Sequence, residues 1–180
     1  MTRDIPAILA AAQFAAEKHA KQRRKGASGE PYLNHLIEVA HLVSTALSQP
    51  DANLVAAALL HDVIEDTAVT ARELTEKFGP DVAALVVEMT DDKSLPKAER
   101  KRLQIEHASR LSPRAQIIKL ADKISNLRSI LVSPPADWDY NRRRQYFKWG
   151  KQVVDQLSAP NPILKAEFDK IYRRVDEIQR

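Results

Sequence analysis

The chain has 180 residues, enough for one domain with a real hydrophobic core, and its 28 Lys and Arg against 24 Asp and Glu leave a net charge of +4. That small excess admits an anionic ligand but falls short of what a nucleic-acid-binding protein is expected to carry. With no cysteine, disulfides, thiol nucleophiles, zinc fingers and iron–sulfur clusters are excluded, and four glycines, at 26, 29, 79 and 150, allow neither a P-loop nor a GxGxxG turn.

Helix-type spacing of Ala and Leu dominates and strand-like alternation is scarce, so the pattern predicts one all-α domain over 1–180 with about nine to ten helices. The first helix covers 5–21. The N-terminal stretch lacks the order of a signal peptide, and no segment approaches the roughly 18 apolar residues of a membrane span. A cytoplasmic protein without a membrane partner is expected. The loop RRKGASGEPYLNH, residues 23–35, follows, marked by Gly, Ser and Pro. Arg24 and Lys25 in it are candidates to stack on or bond a ligand. His35 opens the helix predicted over 32–48 and is a candidate metal ligand. Taken alone, this is an ordinary basic loop with a histidine nearby.

The helix predicted over 51–64, with Asp51 as N-cap, runs through Ala56, Ala57, Leu59 and Leu60 into the segment LLHDVIEDT. If the helix continues, His61 shares a face with Glu65, and Asp62 with Asp66. Charges in so apolar a setting are costly unless paired or bound to a metal. Imidazole with carboxylate suits a divalent transition ion such as Mn, Fe or Zn. A capping or salt-bridge cluster is the ordinary reading of an isolated His-Asp pair; four ionisable groups after an apolar run weaken it.

Further helices are predicted over 70–78, 80–90, 96–109, 113–131, 139–157 and 161–177. Gly79-Pro80 ends one and starts the next, and Ser112-Pro113 offers an N-cap followed by Pro at the first helical position. Lys97, Arg100, Lys101 and Arg102 form a mostly solvated basic cluster, with Lys97 its best phosphate-binding candidate. In IIKLADKISNLRSIL, residues 117–131, Asp122, Asn126 and Ser129 form a polar stripe beside an apolar face. A solvated face more often carries Lys and Glu, so Asp122 is a candidate metal ligand and Asn126 and Ser129 candidate substrate contacts. In NRRRQYF, Arg142 and Tyr146 share a face and are candidates to hold phosphates, against the plainer reading of a basic solvated helix near Trp138 and Trp149. His19, His41 and His107 are read as surface or packing residues.

His35, the His61-Asp62 pair and Asp122 match the H…HD…D pattern of HD-domain metal-dependent phosphohydrolases. RRK–GEPYLNH, LLHDVIEDT and KLADKISNLRSI together resemble the hydrolase domain of the RelA/SpoT homologues, and length and loop resemble their stand-alone metazoan SpoT-homologue type. The resemblance implies the all-helical HD fold and one Mn²⁺ held by His35, His61, Asp62 and Asp122. It implies release of pyrophosphate from the 3′ position of (p)ppGpp-like nucleotides, with Glu65 and Asp66 activating water. Arg24 and Lys25 match residues that contact the base, and Asn126 one near the ribose. Ser129 stands where many relatives carry Thr, which keeps the hydroxyl. The chain is too short for the synthetase and regulatory domains of the long enzymes, so hydrolysis alone is expected, with a small-molecule nucleotide as the partner. Two other readings remain at this stage: hydrolysis of another nucleotide, such as an adenine alarmone or the NADPH 2′-phosphate, and a nucleotide sensor without turnover.

Overall fold

Residues 54–60 are buried without exception. A helix apolar on every side needs neighbours on every side, and the rest of the fold supplies them. In the computed structural model, which describes residues 4–49 and 51–178, the surrounding helices are α1 (Asp4–Lys18), α2 (Leu33–Ala46), α6 (Pro80–Met89) and α8 (Pro113–Val132), packed about α3 (Ala52–Leu60). The other elements are α4 (Val63–Asp66), α5 (Ala71–Phe78), α7 (Lys97–His107), α9 (Tyr140–Asp155) and α10 (Pro162–Tyr172), with 3₁₀ turns at Ala108–Arg110 and Arg173–Glu177. Among the described residues the only β pairing is an isolated bridge between Arg23 and Pro31. No helix among the described residues is long and apolar enough to cross a membrane.

The caps read from the sequence are in place. Asp51 Oδ1 accepts from the Leu54 N–H, Ser112 Oγ from the Ala115 N–H, and Pro80 opens α6 behind Gly79 at φ 86°. Residues 51–64 are not one helix, however. α3 ends at Leu60, and His61 Nδ1 lies 2.8 Å from the Ala58 carbonyl oxygen, the group that a continuing helix offers to the Asp62 N–H. Asp62 takes φ −102°, ψ −1°, and the chain resumes helically only over α4.

α8 carries the second half of the frame. Its 20 residues pack against α2, α6, α9 and α10, and both its apolar side and Lys119, Asp122, Lys123 and Ser125 are buried. The loop of residues 23–31 is seated on the end of α8. The Ala27 N–H donates to the Pro134 carbonyl, and the Ser28 N–H donates to Ser133 Oγ at 3.0 Å. A Cβ at Gly26 would stand 2.3 Å from the Ser133 carbonyl oxygen, so this close approach requires glycine.

Candidate active site

Three elements deliver the central cluster: the first turn of α2 carries His35, the end of α3 His61 and Asp62, and the middle of α8 Asp122. Burial of Leu59 and Leu60 directly before the pair, worth about 1.5–3 kcal/mol each, fixes where His61 emerges. His35 and His61 are 1 % and 2 % exposed, their ring centroids 5.2 Å apart. His35 Nε2 lies 3.3 Å from Asp122 Oδ1 and 3.7 Å from Asp62 Oδ2; His61 Nε2 lies 3.8 Å and 3.2 Å from the same two atoms.

Each imidazole is turned so that Nε2 is the free nitrogen. Ser125 Oγ donates to Glu38 Oε2, so at 2.8 Å it accepts from His35 Nδ1–H. The Ala58 carbonyl can only accept, so His61 Nδ1 is also the donor. His61 Nε2 is left buried with no hydrogen-bond partner among the described residues. Ligand atoms of His35, His61 and Asp62 lie within 4.8 Å of one another. Two inward nitrogen lone pairs facing two carboxylates, with the outer ring nitrogens tied down, fit a divalent cation.

Without a cation the four groups shift one another's ionisation. Burial alone lowers the His61 pKa, but Asp62 and Asp122 outweigh it and lift the value to about 10. On His35 burial prevails and the pKa falls. Burial favours neutral carboxyls, yet the imidazoles on Asp62, and the Lys123 ammonium with both imidazoles on Asp122, hold both carboxyls below the usual range.

His61, Asp62 and Asp122, but not His35, line a cleft of about 480 Å³. Arg24, Lys25, Asn126, Ser129, Lys97 and Tyr146 line it, as do Glu65 and Asp66. Asn126 Nδ2 donates to Asp122 Oδ1 at 2.6 Å. Glu65 Oε2 accepts from the Asp91 N–H, and burial followed by the Asp91 and Asp62 charges pushes its carboxyl up. Asp66 is gripped through both oxygens: Lys93 Nζ is 2.6 Å from Oδ1, and Gln22 Nε2 donates to Oδ2 at 2.7 Å. Arg142 does not line the main cleft. It borders an adjoining groove, its guanidinium 4.7 Å from the Trp138 ring centroid.

Sequence reasoning missed several contributors. Tyr32, inside the quoted loop, donates to Asp62 Oδ2 at 2.5 Å; burial and then Asp62 raise its phenol pKa far above normal and keep it a donor. Lys123 bonds Asp122 Oδ2 and Gln104 Oε1, both at 3.0 Å. Lys101 is half-buried: its Nζ sits 4.6 Å from the Trp149 ring centroid and 5.1 Å from that of Tyr146, and it lines the cleft. Arg102, in contrast, is exposed and pairs with Glu99 and Glu106. Of the three histidines set aside, His41 and His107 are exposed, whereas His19 is buried. The repeated basic pattern of 97–102 contains no sign of which lysine turns inward; only the packing of α7 on α9 decides it.

A family model described as HD domain matches residues 11–146. The chain is 51 % identical over 162 residues to the Drosophila melanogaster guanosine-3′,5′-bis(diphosphate) 3′-pyrophosphohydrolase MESH1, covering 90 % of each chain. It is 44 % identical to the Homo sapiens protein of the same name, over 97 % of each. A solved structure described as a metazoan ortholog of SpoT that hydrolyzes ppGpp superposes with a TM-score of 0.89 at 49 % identity, over 93 % of this chain and 94 % of that one.

Proposed function

The chain belongs to the HD-domain family, and we propose that it is a guanosine-3′,5′-bis(diphosphate) 3′-pyrophosphohydrolase. Water is added across the bond between the ribose 3′ oxygen and its pyrophosphate, giving GDP or GTP and free pyrophosphate. One observation carries the reading at this site: two imidazole Nε2 atoms converge on Asp62 and Asp122, which line a cleft that elsewhere presents Lys, Arg and aromatic rings. That is the layout for a polyanionic nucleotide whose reacting phosphate lies over a cation.

In this reading His35, His61, Asp62 and Asp122 hold one Mn²⁺. A bound divalent cation offsets charge on phosphoryl oxygens and lowers the pKa of bound water. Glu65 and Asp66 take the proton from the attacking water, and burial with the Asp91 and Asp62 charges raises the carboxyl of Glu65. Arg24 and Lys25 hold the base, and Asn126 and Ser129 the ribose side. Lys97, Arg142 and Tyr146 bind the remaining phosphates, joined by Lys101, whose ammonium lies against the Tyr146 and Trp149 rings in the cleft lining. Residues 1–180 act as one hydrolase domain; α9 and α10, largely beyond the matched family segment, pack on α8. A cytoplasmic location goes with this reading.

Purified protein incubated with ppGpp, ppApp and NADPH, with and without Mn²⁺, tests it. Pyrophosphate release from ppGpp only with metal is expected. Orthophosphate release from NADPH with ppGpp untouched would replace the substrate, and tight ppGpp binding without turnover would replace the enzyme by a sensor.

A further inference from the structure

His19 lies just past the end of α1, 3 % exposed, and does not line the cleft. Its Nδ1 is 2.6 Å from Gln22 Oε1. Gln22 commits its NH₂ to Asp66 Oδ2, so its oxygen is the accepting end and His19 Nδ1 carries a hydrogen. His19 Nε2 has no hydrogen-bond partner among the described residues, so the bond to Gln22 is the only hydrogen bond of the ring. The face of the same ring stacks on Tyr32, with centroids 5.3 Å apart and 30° between the planes. Tyr32 in turn donates to Asp62.

We propose that His19 is a positioning residue for the hydrolysis, holding Asp66 through Gln22 and steadying Asp62 through Tyr32. The proposal rests on the reading of Glu65 and Asp66 as the water-activating pair. Asp66 needs such a tether because it ends α4, a helix of only four residues. Its other restraint, Lys93, is 48 % exposed at the side chain, and a pair of that kind is weak and screened by salt. An amide backed by a buried ring opposes the pull of Lys93 and keeps the second carboxylate oxygen turned toward the α1 side of the cleft. The HD and ED halves of the motif thus share one buried support, in the turn after α1.

The test is steady-state kinetics with ppGpp and Mn²⁺. His19→Phe keeps the ring and its stack but removes the donor; Gln22→Leu removes the amide at a half-buried position and serves if His19→Phe does not fold. Each should lower kcat about 10–100-fold, the range for a misplaced reacting group, with KM within about twofold. His19→Asn, which presents an N–H near the Nδ1 position, should recover most of the loss. In an Asp66→Asn background, itself impaired, neither substitution should cost more. Wild-type kcat in both variants, an equal rise in KM, or a multiplicative loss on top of Asp66→Asn would overturn the tether alone. Wild-type turnover of Asp66→Asn would overturn the water-activating role of Asp66 and the tether with it.

Discussion

His35 and Ser125 are joined across α2 and α8: the imidazole Nδ1–H donates to Ser125 Oγ at 2.8 Å, and Ser125 passes its own hydrogen to Glu38. This relationship decides which lone pair His35 offers to the cluster. His61→Ala and Asp122→Ala should therefore lose Mn²⁺ and turnover together. Ser125→Ala leaves all four ligands in place and should weaken Mn²⁺ by about 10–100-fold. Metal content by mass spectrometry and Mn²⁺ titration calorimetry read both effects. Full turnover by metal-free His61→Ala would remove the site from the reaction.

Glu65→Gln and Asp66→Asn keep shape and remove a base. Nucleotide and metal should still bind by calorimetry while kcat falls by about 10²–10⁴-fold for a lost general base. Burial, Asp91 and Asp62 raise the Glu65 carboxyl, so the acid limb of kcat/KM should lie above the ordinary carboxylate range and move in Glu65→Gln. Near-normal turnover in both single variants and the double would show that the pair does not handle the water.

Arg24 and Lys25 line the cleft from its loop and are not among the proposed ligands or water-activating groups, so truncation should remove only binding common to ground and transition states. Arg24→Ala and Lys25→Ala should raise KM for ppGpp with kcat little changed. A collapse of kcat at constant KM would place the loop in the chemistry.

Gly26→Ala tests the seating of that loop without touching a proposed contact. Its Cβ would meet the Ser133 backbone carbonyl at 2.3 Å, so the loop must lift from the end of α8. KM should rise at least as far as in Lys25→Ala, with Mn²⁺ affinity unchanged. An unaltered KM would mean that the docked loop does not position Arg24 and Lys25.

Lys101 gives a basic limb. Burial, then the Lys97, Lys123 and Arg142 charges, pull its pKa down to about 8. It is charged below that pH and neutral above it. kcat/KM for a polyanionic nucleotide should thus fall as pH rises through about 8. Lys101→Arg should flatten the limb, because guanidinium stays charged. Persistence of the same limb in Lys101→Arg would assign it to another group.

Much of the fold was legible in the sequence, because helices and their ends are local. Ala and Leu periodicity, the caps at Asp51 and Ser112 and the Gly79-Pro80 break all act within a few residues, and the structure has the predicted helices with modest shifts at their ends, except that 51–64 is split after Leu60 and 161–177 turns 3₁₀ after Tyr172. His61 and Asp62 stood out because ionisable groups at the end of an apolar helix are costly and therefore informative, and Asp122 because it heads an Asp–Asn–Ser row where a solvated face more often carries Lys and Glu; His35 joined them only through the H…HD…D pattern. The break after Leu60 did not stand out, since it arises where a histidine side chain takes up a backbone carbonyl. Tyr32, Gln22, Lys123 and Lys101 were equally hidden: each is an unremarkable residue in its own segment. Their roles depend on distant partners, Asp62 for Tyr32 and Asp66 for Gln22, Gln104 and the Trp149 ring for Lys123, and the Trp149 ring for Lys101. Only tertiary packing brings donors and acceptors far apart in sequence within about 3 Å of each other, the distance at which a hydrogen bond exists at all.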